Sequence, residues 1–273
     1  MSKLTIGVFT SLGEEPERTF AAVRELGLTS CQLGGWRPLD VSRELVERNR
    51  EAASAAGVTI TAFWCGYRGP AAWNYVDGPS TIGLVPAEYR AMRVEDLQRG
   101  AEIAAWLGIA DMATHVGFLP MNPKDPDYLG AVDAIKAIAE FAGERGVYFN
   151  FETGQETPTV LLRCIQDVGL PNLGVNLDPA NLLMYGNANP LDALDIFGQY
   201  VRGVHAKDGA YPTDGHHLGE EMPLGEGRVN FPLLVPKLKA CGYTGALTIE
   251  REISGPQQIS DIKRAIDVLT PLL

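Results

Sequence analysis

Four side chains of metal-binding type follow four successive apolar segments in the second half of the chain. They are Glu152 in "NFETG", Asp178 in "NLDPAN", His205 in "GVHAKD" and Glu250 in "TIERE". Three carboxylates and one imidazole, without a thiolate, are typical ligands of one divalent cation; Mn²⁺ is the expected ion, with Mg²⁺, Co²⁺ and Zn²⁺ as alternatives. Each residue alone would more often cap a helix or join an ion pair. Crowded together they would repel one another without a cation, so the sequence predicts a shared metal site.

A recurrent pattern indicates which elements carry these residues. Six helix-like stretches end in a glycine and continue into a short apolar run, at Gly27, Gly57, Gly108, Gly146, Gly169 and Gly242. Glycine directly after a helix is the usual residue for a left-handed backbone conformation. The apolar runs are rich in Val, Ile, Leu and Phe and do not alternate cleanly with polar residues, which is typical of parallel strands buried on both faces.

Eight such strands are predicted once the segments "LTIGVF" and "YVRGVHAK" are added. They end near Phe9, Leu33, Trp64, His115, Glu152, Asp178, His205 and Glu250. Eight strand–helix units predict an α/β fold, a (β/α)8 TIM barrel forming a single domain over residues 1–273, with an open doubly wound sheet as the alternative. The carboxyl ends of parallel barrel strands share one face, so the four side chains should converge. The long connections 65–87 and 208–231 leave that face and are expected to wall or cover the site.

Composition narrows the possible partners and location. The net charge of -11 and pI near 4.9 oppose binding to nucleic acid, because that affinity depends on Lys and Arg. The amino terminus does not resemble a signal peptide, and no apolar run is long enough to span a membrane, so we expect a cytoplasmic protein that binds no membrane. The four cysteines lack a CxxC pattern, suit a reducing compartment and are expected to be buried: Cys31, Cys65, Cys164 and Cys241.

Several motifs resemble those of the sugar phosphate isomerase/epimerase superfamily, the xylose isomerase-like TIM barrels. They are "NFETG", "NLDPANLL", "VHAKD" and "PLGEGRVNFPLLVPKLKACGYTGALTIERE", and the resemblance is strongest from about residue 145 onward. It implies one metal ion held by Glu152, Asp178, His205 and Glu250. In the ketose 3-epimerase branch it implies that both glutamates also transfer protons. His115, in "ATHVG", resembles a substrate-facing histidine of the superfamily.

The predicted activity is that of a metal-dependent epimerase or isomerase of a ketose or keto-polyol. One glutamate would take a proton from the carbon beside the carbonyl, and the other would return a proton on the opposite face. Return of the proton to the adjacent carbon would give an isomer, and loss of a β-hydroxyl would give a dehydration. A dehydratase or lyase acting on an inosose or keto-sugar is therefore the alternative, and a non-catalytic sugar-binding barrel is a weaker one.

A third alternative is an endonuclease IV-like nuclease, since "DGHH" at residues 214–217 resembles part of its third metal site. Two departures oppose it. The expected D-x-x-H reads Asp178-Pro-Ala-Asn181, and the third strand ends in Trp64-Cys65 rather than in a histidine. We interpret residues 214–217 as a polar loop over the pocket.

Candidate substrate contacts lie next to the predicted ligands. Lys207 shares a strand face with His205 and is expected to bind a substrate hydroxyl or phosphate, whereas Arg251 should point away unless its strand has ended. The other candidates are His115, Asn181, Trp64 and Trp36, with Trp73 and Phe118 as further apolar wall residues. The sequence contains no GxxxxGKS phosphate loop, and "LGEGR" alone carries no such meaning, so phosphorylation of the substrate stays open. The expected partner is a small carbohydrate, with a homo-oligomer possible.

Overall fold

The fold is a closed barrel of eight parallel strands, seen in a computed structural model that describes residues 4–273. In spatial order the strands are β1-β10-β7-β6-β5-β4-β3-β2. Their bounds are Thr5–Ser11 (β1), Ser30–Gly35 (β2), Thr59–Cys65 (β3), Asp111–Thr114 (β4), Tyr148–Glu152 (β5), Leu173–Leu177 (β6), Val201–Ala206 (β7) and Ala246–Ile249 (β10). The predicted (β/α)8 barrel is confirmed, and the doubly wound alternative is wrong because the sheet closes on itself.

Helices surround the barrel and cover its outer face. They are Pro16–Glu25 (α1), Arg43–Ala56 (α2), Gly78–Thr81 (α3), Ala87–Leu107 (α4), Pro126–Gly143 (α5), Pro158–Val168 (α6), Pro179–Met184 (α7), Pro190–Phe197 (α8), Phe231–Ala240 (α9) and Pro256–Leu269 (α10). On α5 the apolar side chains Ile135, Ile138, Ala139 and Ala142 are buried, whereas Val132 is only half-buried. In the described part of the chain no helix is both long and apolar enough to cross a bilayer.

The six glycines that follow the predicted helices all adopt positive φ angles. The values run from 66° at Gly57 to 89° at Gly242. Gly57, Gly108 and Gly169 are the residues that end α2, α4 and α6 in the left-handed conformation. Because a side chain at such an angle is strained, these glycines turn each helix sharply into the next barrel strand.

Both long connections contain short elements of their own at the carboxyl face of the barrel. Residues 65–87 include α3. Residues 208–231 include the antiparallel pair Asp208–Gly209 (β8) and Glu221–Met222 (β9). Each connection supplies residues to the cavity that opens at this face, among them Trp73 and Leu218.

Candidate metal and substrate site

The four residues predicted as metal ligands come together at the carboxyl face. Glu152 ends β5, Asp178 directly follows β6, His205 lies near the end of β7, and Glu250 directly follows β10. One ligand atom from each residue lies within 4.8 Å of the corresponding atoms of the others. His205 Nδ1 is 2.9 Å from Glu152 Oε1, 3.2 Å from Glu250 Oε2 and 3.9 Å from Asp178 Oδ2. The barrel thus converts distant sequence positions into one compact cluster.

A chain of amides holds the other side of the His205 ring. His205 Nε2 lies 2.9 Å from Gln32 Oε1, and the Gln32 amide nitrogen donates to Asn176 Oδ1 at 3.3 Å. The side chain of Asn176 fits because residue 203 is a glycine. A Cβ atom added at that position would lie only 2.2 Å from Asn176 Oδ1. A carbonyl oxygen accepts only, so in the neutral ring Gln32 favours the proton on Nε2, which makes Nδ1 the nitrogen that a metal ion could bind.

Asp178 divides its two carboxylate oxygens between a helix and the cluster. Oδ1 accepts the backbone N–H of Asn181 at 2.9 Å and caps α7, while the Asp178 backbone is tied to Thr153 Oγ1 in both directions, at 2.8 and 2.9 Å. Oδ2 is buried without a hydrogen-bond partner, as is Glu250 Oε2. Two buried carboxylate oxygens that accept no hydrogen bond and face one centre are what a cation would satisfy.

Trp64 and His115 border the outer side of Glu152. The Trp64 indole N–H donates to Glu152 Oε2, and His115 Nε2 lies 3.3 Å from the same oxygen. Both side chains are buried. Glu152 is therefore oriented by neighbours from β3 and from the end of β4, and these predicted substrate contacts stand directly beside it.

Lys207 is a buried cation inside the cluster. Its Nζ lies 3.0 Å from Glu252 Oε1, 3.4 Å from Glu250 Oε2 and 3.6 Å from Asp178 Oδ2, and it donates to Asn181 Oδ1 at 3.3 Å. Lys207 and His205 point to the same side of the strand, as their spacing predicted. Asn181, in the place where a nuclease of the alternative class would carry a histidine, contacts this ammonium.

Burial and charge shift the pKa values of the cluster in opposite directions. Burial raises the pKa of Glu250, but Lys207 and His205 outweigh it and hold that pKa well below its usual range. In Glu152 burial likewise raises the pKa, and His115 and His205 outweigh it. The pKa of Asp178 is well above its usual value because of burial, with Glu250 and Glu152 adding to it against Lys207.

The two cations of the cluster hold their protons firmly in the metal-free protein. Burial lowers the pKa of His205, but Glu250 and Glu152 raise it well above the usual value. Burial also lowers the pKa of Lys207. The negative charges of Glu250, Asp178 and Glu252 outweigh burial and raise that pKa well above its usual value. A metal ion at the cluster must therefore displace a proton from His205.

The residues present fit a divalent metal ion. Glu152, Asp178, His205 and Glu250 supply three carboxylates and one imidazole, and two of the carboxylate oxygens accept no hydrogen bond. With a neutral His205, the charges of the three carboxylates and Lys207 sum to minus two, which a divalent cation neutralises. Oxygen-rich ligands without a thiolate suit Mg²⁺ or Mn²⁺.

Aromatic side chains form two layers of the cavity wall above the cluster. Trp64 and His115 make the inner layer. Trp36 packs on Trp64 with ring centroids 4.7 Å apart, and Trp73 packs on His115 at 5.0 Å. The outer pair is accessible, with Trp36 54% and Trp73 39% exposed. Phe118, predicted as a wall residue, instead packs against Tyr185 at 5.7 Å and is not among the lining residues.

The cavity has a volume of about 480 Å³ and reaches from the cluster to this rim. Polar groups line its inner part: Gln155 is buried with neither amide atom hydrogen-bonded, and the Tyr185 hydroxyl is buried without a partner. The neighbouring Glu156 is also buried, and both its carboxylate oxygens lack partners. Unpaired polar groups of this kind are costly unless a ligand or a proton satisfies them.

Asp208 fastens the long connection after β7. It is buried and accepts four backbone N–H groups: those of Gly209 (2.8 Å) and Val229 (2.9 Å) on Oδ1, and those of Gly225 (2.9 Å) and Gly227 (3.1 Å) on Oδ2. A Cβ at residue 227 would lie 2.1 Å from Asp208 Oδ1. The "LGEGR" segment therefore needs glycine because its backbone wraps around a carboxylate.

Charged residues at the rim pair with one another. Arg251 follows the end of β10, and its guanidinium lies 2.7 Å from Glu221 Oε2 and 2.8 Å from Asp261 Oδ2. In the polar loop at residues 214–217, Asp214 accepts the backbone N–H groups of His216 and His217, and all three residues are exposed. They lie outside the metal-type cluster.

Sequence reasoning missed four buried polar residues of this site: Gln32, Gln155, Glu156 and Asp208. Gln32 lies between the apolar residues Cys31 and Leu33 in the strand "SCQLGG", and Gln155 and Glu156 directly follow the Glu152 motif in "ETGQETP". Polar residues within or next to buried strands were the signal that could have marked them.

Comparison with known proteins agrees with the fold. A structure of a xylose isomerase domain protein from Planctomyces limnophilus is 36% identical, covers 98% of this chain and 97% of that chain, and superposes with a TM-score of 0.92. An L-ribulose 3-epimerase structure is 22% identical, with 99% and 95% coverage and a TM-score of 0.75, a likeness of fold.

A curated relative, an uncharacterized protein of Methanocaldococcus jannaschii, is 28% identical over 174 residues. The matched part spans 60% of this chain and 58% of that relative's length. The family model described as a xylose isomerase-like TIM barrel matches residues 20–272. Because that match extends over nearly the whole sequence, the chain belongs to the xylose isomerase-like TIM barrel family.

Proposed function

We propose that this protein is a divalent-metal-dependent epimerase or isomerase that acts on the carbon beside the carbonyl of a ketose or keto-polyol. The observation that carries the proposal is the position of Glu152 and Glu250. They come from β5 and from the end of β10, and they flank the same imidazole nitrogen at 2.9 and 3.2 Å. Two carboxylates at the inner end of one cavity can serve as a proton acceptor and a proton donor.

The metal ligands in this proposal are Glu152, Asp178, His205 and Glu250, with Mn²⁺ as the expected ion. When bound, a divalent cation supplies Lewis-acid stabilisation of the negative charge that develops on the substrate carbonyl oxygen. The protein would contribute the arrangement: Gln32 directs the Nδ1 lone pair of His205 inward, and α7 fixes Asp178.

Proton transfer is assigned to the two glutamates. Their lowered pKa values mean that each is ionised at neutral pH and can accept a proton from the substrate carbon. The first glutamate removes the proton from one face of that carbon. The second must arrive protonated, or be reprotonated by solvent, to return a proton on the other face and invert the centre. Trp64, which donates to Glu152, would keep that carboxylate aimed.

Substrate binding is assigned to His115, Lys207, Asn181, Trp64 and Trp36. Lys207 and Asn181 lie on the α7 side of the cluster and can hydrogen-bond substrate hydroxyls, while His115 and Trp64 border Glu152. Trp36 provides apolar surface nearer the rim. We further propose a cytoplasmic enzyme, since the cysteines are unpaired and Cys31, Cys65 and Cys164 are buried.

Hydrogen exchange at the substrate carbon tests the proposal. The protein is stripped with EDTA, reloaded with Mn²⁺ and incubated with a panel of ketoses and keto-polyols in D₂O. We expect deuterium to enter the carbon beside the carbonyl and an epimer or isomer to accumulate. The variants Glu152→Gln and Glu250→Gln should each lower turnover at least ~100-fold, and Glu140→Gln, an exposed change on α5, should leave it unchanged.

Other outcomes would assign a different activity. Absorbance of a conjugated enone without an epimer would indicate the dehydratase alternative. Cleavage of a duplex with an abasic site, together with about three metal ions per chain, would indicate a nuclease. An absence of exchange with every sugar tested would contradict the proposal.

A further inference from the structure

The layered cavity wall suggests that the substrate is larger than one sugar ring. The inner layer, Trp64 and His115, contacts Glu152 directly. The outer layer, Trp36 and Trp73, stands one aromatic contact farther out, at 4.7 and 5.0 Å from the inner rings. A single ring held at the cluster would be walled by the inner layer and would leave the outer layer in solvent.

Two exposed indoles stand together at the mouth of the cavity. Trp36 is 54% exposed and Trp73 is 39% exposed, and both line the cavity. Their edges also face each other, with ring centroids 6.4 Å apart. Aromatic faces of this kind pack well against the C–H face of a sugar or against another ring. The cavity has a volume of about 480 Å³. This lies within the ~300–1,000 Å³ range of pockets that enclose drug-sized ligands, which are larger than one hexose.

The charges of the cavity oppose a phosphorylated substrate. Among the lining residues, all within the described part of the chain, the only Lys or Arg is Arg251, and two carboxylates already neutralise it. Lys207, deeper in the cluster, is occupied by Glu252, Glu250 and Asp178. Glu252 itself lines the cavity. A phosphate here would meet a carboxylate and no free Lys or Arg.

The unpaired polar groups match neutral hydroxyls. Gln155 presents both a donor and an acceptor that lack partners, and Tyr185 presents one hydroxyl. A sugar hydroxyl donates and accepts at once and can satisfy both ends of the amide, whereas a phosphate dianion only accepts and would leave Gln155 Oε1 unpaired.

We propose that the site binds an uncharged keto-sugar carrying a second ring as a glycoside, with the keto-sugar at the Glu152–Glu250 end and the second ring against Trp36 and Trp73. The inference rests on the proposed function for its reactive end. The inference adds the class of substrate, a neutral molecule of two rings. Gln155 and Tyr185 would recognise this substrate by hydrogen bonds to its hydroxyl groups.

A matched series of substrates tests the inference. Methyl, phenyl and glucosyl glycosides of one keto-sugar are compared with a free ketose and a ketose phosphate by deuterium wash-in with the Mn²⁺-loaded protein. We expect kcat/KM for the phenyl and glucosyl compounds to exceed that of the methyl compound at least ~10-fold, which corresponds to about 1.4 kcal/mol. Trp36→Ala and Trp73→Ala should reduce this ratio toward one, and Trp106→Ala, on the far end of α4, should preserve it.

Binding without turnover gives a second readout. Phenyl glucoside lacks the carbonyl and cannot undergo proton exchange, so its quenching of tryptophan fluorescence reports on binding without turnover. We expect saturable quenching that is lost in Trp73→Phe combined with Trp36→Ala. Equal kcat/KM for methyl and phenyl compounds, or preference for the phosphorylated ketose, would overturn the inference while leaving the epimerase proposal intact. Exchange with no sugar, together with saturable phenyl glucoside binding, would instead refute the proposed reaction and support the two-ring site.

Discussion

Gln32 Oε1 lies 2.9 Å from His205 Nε2, on the side of the imidazole opposite the carboxylate cluster. The contact joins β2 to β7 across the interior of the barrel, between residues 173 positions apart. Because Gln32 Oε1 can only accept, it favours Nε2 as the protonated nitrogen of the neutral ring. Loss of the second proton from His205 would then leave Nδ1, beside Glu152 and Glu250, as the nitrogen that could bind a metal ion.

We predict that Gln32→Leu weakens Mn²⁺ binding about 10- to 100-fold, the usual loss when a partner that orients a metal ligand is removed. The measurement is isothermal titration calorimetry of the EDTA-stripped protein. Gln199→Leu, an exposed change at the opposite end of the barrel, is the control. An unchanged affinity in Gln32→Leu would show that the ring orientation does not depend on this contact.

The positions of the four cluster residues were predictable because they depend on topology alone. Glu152 and Glu250 lie nearly 100 residues apart, yet parallel strands that close into a barrel must bring their carboxyl ends to one face. Helix-ending glycines such as Gly57 and Gly242 marked the start of each strand by a rule of backbone sterics. Both kinds of inference need only the order of elements.

Contacts that depend on side-chain direction inside the barrel were not predictable. Gln32 meets His205 only because β2 and β7 face each other across the barrel, which no local pattern encodes. The contacts of Asp208 with the amides of residues 225–229 depend on the path that the chain takes after β7 ends at Ala206. Glu156 gave no periodic signal because it lies in a loop.

Asp178→Asn should separate metal binding from helix capping. The amide oxygen can still accept the Asn181 N–H and cap α7, but the charge at Oδ2 is lost. We expect Mn²⁺ affinity to fall by more than about 100-fold, beyond the loss typical of an orienting residue. In EDTA the melting temperature should rise, because the raised pKa of Asp178 means that its ionised form is destabilising at neutral pH.

The matched control for this change is Asp125→Asn, which alters the carboxylate that caps α5 by accepting the Asp127 N–H. It should change neither metal affinity nor the melting temperature by a measurable amount. A destabilised Asp178→Asn protein in EDTA would show that the charge, and not only the cap, supports the metal-free fold.

Metal binding should release protons and strengthen as pH rises. In the metal-free protein the pKa values of His205 and Asp178 are both raised well above their usual values, which favours the protonated form of each group. A metal ion must displace these protons, and lowering the pH favours the protonated, metal-free state. Calorimetry in buffers of different ionisation enthalpy should give a release of about one to two protons per Mn²⁺. A Mn²⁺ affinity that does not change between pH 6 and pH 8 would contradict this account. Titration of a simple chelator in the same buffers calibrates the measured proton release.

Asp208→Ala should destabilise the connection at residues 208–231. Four backbone N–H groups lose a charged acceptor, and bonds to charged groups contribute ~1.5–3 kcal/mol each without strict additivity; we expect a loss of more than about 3 kcal/mol in the free energy of unfolding. Hydrogen exchange should accelerate at Gly225, Gly227 and Val229. Asp214→Ala removes an exposed carboxylate that accepts two amides in the same connection, and should cost much less stability than Asp208→Ala. Equal costs for the two variants would refute the structural role of Asp208.

Glu156 should make the stability of the metal-free protein fall with pH. Burial raises the pKa of this carboxyl to about 8, with its own backbone N–H lowering it and the charge of Glu152 raising it. The unfolded chain releases the same proton near 4.5. Between these two values the folded state binds more protons than the unfolded state, so the free energy of unfolding decreases as pH rises, by at most about 1.4 kcal/mol per pH unit. Below pH 4.5 the ionisation of Glu156 costs the folded state no stability, and above about pH 8 the full cost applies.

Glu156→Gln should remove that dependence, because a neutral amide has no charge to bury. Urea unfolding of the EDTA-treated protein from pH 5 to 9 measures the slope, with Glu140→Gln on the exposed face of α5 as the matched change. We expect Glu156→Gln to be more stable than the unmodified chain at pH 9 and close to it at pH 5. Parallel curves for the two proteins over this range would show that the Glu156 carboxyl ionises as readily in the folded state as in the unfolded one.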